Sequence, residues 1–379
     1  MNDLFEKVQR RLVASPAGAD AADIVRLIRE EAGVISDVDV LDLLRRLRHD
    51  STGVGPLEPV LSTEGITDIV VNGPDEVWFD RGRGLERADV SFGDDAAVRQ
   101  LATRLATSCG RRLDDAQPFA DGRLTRDDGS IIRLHALLAP PSARHTCLSL
   151  RVLRQATTTL DELVARGTVS EEIAAVLRGV VRCRRAFLVV GGTGTGKTTL
   201  LAALLAEVGP QERILCIEDT AELQPRHPHV LNLVARGRNV EGSGEITMAD
   251  LLRQALRMRP DRIIVGEIRG AEVVDLLAAL NTGHEGGAGT IHANALAEVP
   301  ARMEALAALG GMTRTALHSQ LAAAMDVVVV MRRGSDGRRR VHQIGLLRGN
   351  PVEAHPVWDA DHGALPGFAE LQAEVTASA

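Results

Sequence analysis

The spacing of apolar residues divides the chain into regions of different secondary structure. Near the N-terminus, apolar positions recur every three or four residues over 22–31 and 38–47, which is typical of amphipathic helices. We therefore expect an N-terminal helical segment over residues 1–55. Residues 56–154 instead alternate short apolar runs with turn residues, which predicts a small α+β domain with one helix at 95–108.

After a linker and helix at residues 155–180, the pattern changes to uniformly apolar runs separated by helical stretches. Such runs are typical of parallel strands that are buried on both faces. We predict an α/β domain with a parallel-core sheet over residues 181–350, and we interpret residues 351–379 as a C-terminal tail. The predicted strands cover residues 186–190, 213–217, 262–265, 288–291 and 327–331.

Composition narrows the class of protein. No apolar run reaches the ~20 residues that span a bilayer, and the first residues lack the apolar core of a secretory signal, so we expect a cytoplasmic protein. The four cysteines form no CxxC pair, which argues against a zinc ribbon or a disulfide framework. A net charge of −7 argues against general nucleic-acid binding.

The first apolar run of the α/β domain leads into GGTGTGKTT, which matches the pattern of a phosphate-binding loop. Its glycines allow backbone N–H groups and the next helix N-terminus to face phosphate oxygens. Lys197 would reach the β- and γ-phosphates of ATP, and the Thr198 hydroxyl would ligate Mg²⁺. Lys7 and Lys197 are the only lysines in the sequence, so a compact ammonium is kept here while arginine supplies the other cations. The predicted nucleotide-binding residues of this loop are Gly191, Gly192, Thr193, Gly194, Thr195, Gly196, Lys197, Thr198 and Thr199.

Three further apolar runs end in polar residues, at Glu218, Glu267 and His292. Ligands of open parallel sheets bind outside the carboxyl ends of the strands, so we expect these residues to converge on the nucleotide. Glu267 is the predicted base for the water that attacks the γ-phosphate. Together with Lys197, these three residues form the predicted catalytic set.

The two acidic positions of this set also have plainer interpretations. Glu267 could form an ordinary ion pair with Arg269 or Arg257. Gly266 occupies the place where a metal-holding acid usually precedes such a glutamate, so metal binding would fall to Thr198 and to one of the acids at 218 and 219.

Several neighbouring polar residues could likewise serve the structure rather than the chemistry. Asp219 could cap a helix that begins in DTAEL. His284 and His292 would be ordinary polar histidines but for their place in one glycine-rich segment. Residues 338–340, three consecutive arginines after a Gly-Ser-Asp-Gly turn, are interpreted as the solvated edge of a hairpin rather than a DNA-binding patch.

Four strings in this order carry a family resemblance: GGTGTGKTT, IEDTAEL, MRPDRIIVGEIRG and NTGHEGGAGTIHAN. They resemble the Walker A, Asp-box, Walker B and His-box motifs of the type II/IV secretion ATPases. Residues 71–87 and 235–263 are most similar to the tight-adherence (Tad, CpaF-type) branch, which powers Flp pilus assembly. The resemblance covers about residues 50–345 and implies a RecA-like P-loop NTPase domain preceded by a PAS-like domain.

The resemblance also implies an activity and partners. Such proteins are ATP-hydrolysing motors that form hexameric rings at the inner face of the cytoplasmic membrane and act on platform proteins of a pilus or secretion machine. ATP lies between the two domains of these proteins, and arginines of the PAS-like domain reach the phosphates. Arg123 and Arg151 match those arginines, whereas Arg133 stands about two residues from the matching position.

Three different functions are compatible with parts of this sequence. A conjugative transfer or type IV secretion ATPase that moves DNA or protein would share the same motifs. A scaffold that binds ATP and cycles slowly is disfavoured by the complete catalytic set. A cytosolic nucleic-acid translocase is disfavoured by the acidic net charge and by the scarcity of aromatic side chains for base stacking.

Overall fold

In the computed structural model, residues 53–126, 129–153, 156–238 and 242–377 are described continuously. Residues 21–33 and the separate positions 4, 7, 8, 11, 35–37, 39–41 and 43 are described as well. The chain forms two compact units, Met1–Leu153 and Arg154–Ala379.

Within the described residues of the first unit, six antiparallel strands form one sheet in the order β3-β2-β1-β6-β5-β4. The elements of this unit are α1 (Ala21–Ala32), α2 (Glu58–Leu61), β1 (Asp68–Val71), β2 (Val77–Asp80), β3 (Leu85–Arg87), α3 (Asp95–Ser108), β4 (Phe119–Thr125), β5 (Ile131–Leu137) and β6 (Cys147–Leu153). Helix α3 has the predicted bounds, and the Asp94 side chain caps it by accepting from the Ala97 N–H. The helix predicted at 22–31 is confirmed, while the one predicted at 38–47 lies largely outside the described residues.

Burial alternates along the central strands of this first sheet. On β5, Ile132 and Leu134 face the core, whereas Arg133 and His135 face outward. The inward residues pack in one cluster with apolar residues of α3, including Leu105. Alternation with a period of two therefore covers one face of the sheet with the helix and leaves the other face polar.

In the described part of the second unit, nine strands form a sheet in the order β15-β14-β13-β12-β7-β11-β10-β8-β9. The strands from β12 to β9 are parallel, and β13 to β15 extend the sheet antiparallel. The elements are α4 (Leu160–Ala165), α5 (Glu171–Arg182), β7 (Phe187–Val190), α6 (Lys197–Leu205), β8 (Ile214–Glu218), β9 (Val230–Val234), α7 (Met248–Ala255), β10 (Arg262–Val265), α8 (Glu272–Leu280), β11 (Ala288–Ile291), α9 (Val299–Leu309), α10 (Arg314–Ala324), β12 (Val327–Arg333), β13 (Arg339–Arg348), β14 (Glu353–Asp359), β15 (Gly363–Ala364) and α11 (Phe368–Ala377).

Strand β7 shows why the sheet is covered on both faces. Phe187 and Val189 belong to a core that includes residues of α4, α5, α6 and α11. Leu188 and Val190 belong to a second core, with residues of α7, α8, α9 and α10. All four side chains are buried, which explains the apolar run without alternation.

The structure differs from the expectation of a C-terminal tail at 351–379. Strand β14 pairs antiparallel with β13, and helix α11 buries Phe368, Leu371 and Val375 in the core that contains α5. A Cβ on Gly179 of α5 would lie 2.7 Å from Val375, so the glycine permits this close approach. The apolar residues of α11 have helical spacing, but the alanines and polar residues between them conceal it in the sequence.

Candidate active site

The phosphate-binding loop joins β7 to α6 at the carboxyl edge of the parallel strands. Gly194 and Gly196 adopt φ values of +72° and +94°, in the left-handed region that favours glycine. Gly191 has φ +152°, and a Cβ there would lie 2.4 Å from the carbonyl oxygen of Met331. The Thr195 hydroxyl donates to the carbonyl of Gly192 at 2.9 Å and closes the loop. These glycines are required by backbone conformation and by the close approach of β12.

Lys197 is the first residue of α6 and is only 8% exposed. Its Nζ donates to the carbonyl oxygens of Gly191 and Gly192, both at 3.0 Å. Burial lowers the pKa of Lys197, and the negative charge of Glu267 opposes that shift. The ammonium is therefore held inside the loop by acceptors that a phosphate group could replace.

Lys197, His292, Glu267 and Arg269 form a continuous row of polar side chains. His292 Nδ1 lies 3.4 Å from Lys197 Nζ, and its Nε2 lies 2.5 Å from Glu267 Oε1. Oε1 is buried, and no described group is aligned to donate a hydrogen bond to it. The other carboxylate oxygen contacts the Arg269 guanidinium. Arg269 in turn lies 3.6 Å from the carboxylate of Asp219.

The contacts along this row test the plainer interpretations of Glu267 and Asp219. Glu267 does form an ion pair with Arg269, as the plainer interpretation held, but the pair leaves Oε1 facing His292. Arg257 instead donates to the carbonyl of Arg253. Asp219 caps no helix, because residues 219–229, all of which are described, contain none.

Glu218 ends strand β8 and is only 3% exposed. Its Oε1 accepts hydrogen bonds from the backbone N–H groups of Glu222 and Leu223, each at 3.1 Å. Burial raises the pKa of Glu218 to about 7. Just after the neighbouring strand β10, a Cβ on Gly266 would lie 2.6 Å from Glu218 Cγ. The glycine before Glu267 thus provides the space in which Glu218 lies.

The two histidines of the glycine-rich segment lie at opposite edges of the sheet. Strand β11 runs between them, with His284 before it and His292 after it. Four residues of strand span about 13 Å. Gly286 confirms the edge, since a Cβ there would overlap the guanidinium of Arg262, the first residue of β10. Only His292 joins the site around Lys197.

The arginines predicted in the first unit form one row across its sheet. Strand register places Arg123 opposite Arg133, and Arg133 opposite Arg151. All three are exposed on the polar face, and Arg151 Nε donates to Asp68 at 2.8 Å. Sequence spacing had set Arg133 apart from the other two. In the folded sheet all three are nevertheless neighbours, because register rather than distance along the chain decides which residues pair.

A cavity of about 700 Å³ opens beside the phosphate-binding loop. Gly196 and Thr199 form part of its wall, together with Met331, Arg338 and Arg339 from the β12–β13 hairpin. The hairpin predicted around residues 338–340 is confirmed. Its three arginines are exposed, as the interpretation as a solvated edge held, and two of them also line this cavity. Nothing in the local sequence indicates it, since the hairpin and the loop are more than a hundred residues apart.

The described residues contain no cluster of three or more His, Cys, Asp or Glu side chains that could hold a metal. Mg²⁺ in phosphate-binding sites usually takes one or two protein ligands and completes its shell with phosphates and water. The Thr198 hydroxyl in the first turn of α6 and the Glu218 carboxylate are oxygen donors of the type that Mg²⁺ prefers. The donor types of these residues therefore fit a site of that kind.

Residues 50–344 match the family described as Type II/IV secretion system protein. The chain belongs to the type II/IV secretion ATPase family. Among relatives of this secretion ATPase, a putative conjugal transfer protein of Mycobacterium tuberculosis is 60% identical over 342 residues, 89% of this chain and 97% of the relative. The conjugal transfer protein TrbB of Rhizobium radiobacter is 32% identical over 301 residues, 78% of this chain and 88% of the relative.

Solved structures confirm the predicted RecA-like P-loop fold of the secretion ATPase. The ATPase DotB of Legionella pneumophila has a TM-score of 0.53 at 18% identity, over 83% of this chain and 82% of that one. The pilus retraction motor PilT with bound ADP has a TM-score of 0.54 at 22% identity, over 76% and 80% of the two chains. Across the described residues, none of the helices combines the length and apolar character needed to cross a membrane.

Proposed function

We propose that this secretion ATPase is a Mg²⁺-dependent motor that couples ATP hydrolysis to assembly of a Tad/Flp-type pilus or to type II/IV secretion. The observation that carries the proposal is the row of Lys197, His292 and Glu267 at the mouth of the phosphate-binding loop. Each of these side chains follows a different parallel strand, so the fold brings them together at the edge of the sheet where ligands of such folds bind.

The protonation of His292 follows from its neighbours. Lys197 can only donate, so His292 Nδ1 must be the acceptor and its proton lies on Nε2, facing Glu267. Burial and the charge of Lys197 lower the pKa of His292, which keeps the imidazole neutral near pH 7. A neutral histidine therefore lies beside Glu267 without adding a positive charge next to the carboxylate.

The remaining groups have separate roles in phosphoryl transfer. Lys197 meets the charge of the β- and γ-phosphates, and Glu267 accepts the proton of the attacking water. Thr198 and Glu218 would hold Mg²⁺, which neutralises charge on the phosphate oxygens. Arg123 and Arg151 are the further phosphate-binding candidates that the family resemblance implies.

The cellular setting is part of the proposal. We infer a hexameric ring in the cytoplasm, held peripherally at the inner face of the cytoplasmic membrane by platform proteins of a pilus or secretion machine. Family membership supports this setting, and the acidic net charge of −7 supports the absence of direct nucleic-acid binding.

A second candidate is an ATPase of conjugative transfer or type IV secretion that moves DNA or protein. The names of relatives favour it, since both the mycobacterial protein and TrbB are called conjugal transfer proteins. A pull-down from native membranes with ATP-loaded Glu267→Gln protein separates the candidates. A pilus platform protein among the captured partners supports the first, and components of a conjugation channel support the second.

The enzymatic proposal is tested by Glu267→Gln. We expect phosphate release to fall by about 10²–10⁴-fold, because the amide cannot take the proton from water. ATP binding should persist, since Lys197 and the loop are unchanged. The matched control is Glu285→Gln, an exposed glutamate before β11 at the other edge of the sheet. Turnover of Glu267→Gln at the wild-type rate would remove this residue from its assigned role.

A further inference from the structure

The chain turns between strand β10 and helix α8, and Glu267 lies inside this turn. Strand β10 ends at Val265, and its register with β11 ends at the pair of Val265 and Gly289. Glu267 therefore lies beyond the paired residues of the strand. A general base has to be held to within about 0.5 Å of its productive position, so other contacts must fix this turn.

Thr290 of β11 holds the turn on both sides of Glu267. Its hydroxyl is buried and donates to the carbonyl oxygen of Gly266 at 2.7 Å. Its own carbonyl oxygen accepts a hydrogen bond from the N–H of Ile268 at 2.8 Å. One residue thus binds both the residue before Glu267 and the residue after it.

Further contacts hold the same two neighbours of Glu267. The N–H of Gly266 donates to the carbonyl oxygen of Ile217 on β8 at 2.9 Å. The side chain of Ile268 is buried in the core that contains α7 to α10. Two residues after Thr290 on the same strand, His292 contacts the carboxylate of Glu267. The backbone around the glutamate is therefore fixed on both sides, and β11 contacts its side chain as well.

We propose that Thr290 is a positioning residue for ATP hydrolysis, which fixes the backbone so that the carboxylate of Glu267 meets the attacking water. The inference rests on the proposed function, because it takes Glu267 as the base. Valine has the branched shape that suits a buried strand and carries no hydroxyl to desolvate. A threonine at this buried position therefore indicates that the hydroxyl itself is needed.

The test removes the hydroxyl and keeps the shape of the side chain. Thr290→Val should reduce kcat by about 10–100-fold, because small displacements of a reacting group have costs of this size. KM and the dissociation constant for ATP should stay within about twofold of wild type, since Lys197 and the loop are unchanged. Thr290→Ser restores the donor and should turn over within about threefold of wild type.

Thr282→Val is the matched control. The Thr282 hydroxyl also donates to a backbone carbonyl, that of Ala278 at 2.9 Å, but it lies before β11 at the other edge of the sheet. The same chemical change there should leave kcat within about twofold of wild type, because it moves no group near the phosphates.

A double-mutant cycle separates positioning from a purely structural role. In the Glu267→Gln background, Thr290→Val should lower the residual turnover by no more than about twofold, because no base is left to position. A structural role would instead lower turnover by the same factor in both backgrounds. An equal loss in both backgrounds, or a wild-type kcat in Thr290→Val, would overturn the inference.

A second variant keeps the test decisive if Thr290→Val does not fold, as judged by denaturant unfolding. Thr290→Cys fills a similar space with a weak donor, so its kcat should lie below that of Thr290→Ser. Equal kcat values for these two variants would also overturn the positioning role. Wild-type turnover in Glu267→Gln would remove the base and with it the proposed mechanism, whereas wild-type turnover in Thr290→Val alone would leave the base in place.

Discussion

Glu212 lies two residues before strand β8 and Glu218 ends it, and the surroundings of the two glutamates differ. Glu212, at the amino edge, takes hydrogen bonds from Nε and an Nη of Arg262 at 2.8 and 3.2 Å. Burial by itself would raise the pKa of Glu212, but Arg262 brings it below the usual value. Glu218, at the carboxyl edge, is buried against backbone N–H groups, and burial raises its pKa to about 7.

Other charged residues at the amino and carboxyl edges of the sheet show the same contrast. Arg262 is 1% exposed, and it also donates to the carbonyls of Val181 and Gly286 at 3.0 and 3.3 Å. At the other edge, Lys197 rests on loop carbonyls, and Glu267 keeps a buried oxygen with no aligned donor among the described groups. At the amino edge, the charged side chains have hydrogen-bond partners within the protein, and they stabilise the sheet. At the carboxyl edge, the charged side chains have fewer such partners, so they are available to bind a ligand.

The largest effect that would test this contrast is at Lys197. Lys197→Ala should reduce ATP turnover by about 10³-fold, because it removes a preorganised cation that faces the phosphates. The free energy of unfolding should change little, since the ammonium donates to loop carbonyls rather than to a carboxylate. Phosphate release and denaturant unfolding measure the two quantities. Lys7→Ala, the other lysine, is the control, and turnover within about threefold of wild type would contradict the assignment.

Arg262→Met should instead lower stability and leave ATP binding unchanged. It removes the buried guanidinium that donates to Glu212 and to two backbone carbonyls, so we expect the free energy of unfolding to fall by about 3–5 kcal/mol. The dissociation constant for ATP of the folded variant should stay within about twofold, because the change lies at the far edge.

Arg184→Met is the matched control for this variant. Arg184 pairs with Glu212 at 2.8 Å, but its side chain is 42% exposed, so its loss should cost no more than about 1 kcal/mol. Urea unfolding measures both changes. Equal costs for Arg262→Met and Arg184→Met would show that burial does not distinguish the two ion pairs.

Glu218→Gln should give the smallest effect, and one that depends on pH. The pKa of Glu218 rises from 4.5 to about 7 on folding, so the folded state binds a proton that the unfolded state releases between these values. Wild-type stability therefore falls as pH rises through this window. The glutamine keeps an acceptor at Oε1 but cannot ionise. At pH 8 it should be more stable than wild type by up to about 3 kcal/mol, at about 1.4 kcal/mol per pKa unit.

The pH dependence supplies the control for this prediction. At pH 4.5, near the unfolded pKa of the carboxyl group, the stabilities of Glu218→Gln and wild type should converge. Denaturant unfolding at both pH values gives the comparison. A stability difference of the same size at pH 4.5 and pH 8 would show that ionisation of Glu218 is not its cause.

Features that depend on the local sequence pattern were predicted correctly. Strand β10 has the predicted bounds, and the phosphate-binding loop follows β7 as expected, because apolar runs and glycine spacing are visible within a few residues. The convergence of Glu267, His292 and Lys197 also followed, since parallel strands place their carboxyl ends at one edge.

What the sequence could not predict depends on contacts between distant segments. The alignment of Arg133 with Arg123 and Arg151 depends on strand register, which spacing does not determine. The position of Arg339 beside Gly196 depends on how the β12–β13 hairpin packs on the loop. The separation of His284 from His292 required knowing where β11 begins and ends.

The contact between Glu218 and Gly266 has a consequence for how this site can change over time. Glu218 ends β8 and Gly266 directly follows β10, but the two residues share a single volume, since a Cβ at 266 would lie 2.6 Å from Glu218 Cγ. A carboxylate can therefore move from position 218 to position 266 only by a reciprocal exchange in which Glu218 becomes small as Gly266 becomes acidic. Either step alone overfills or empties the same space, so the two substitutions are strongly non-additive. Descendants of this chain should inherit the pair as a unit.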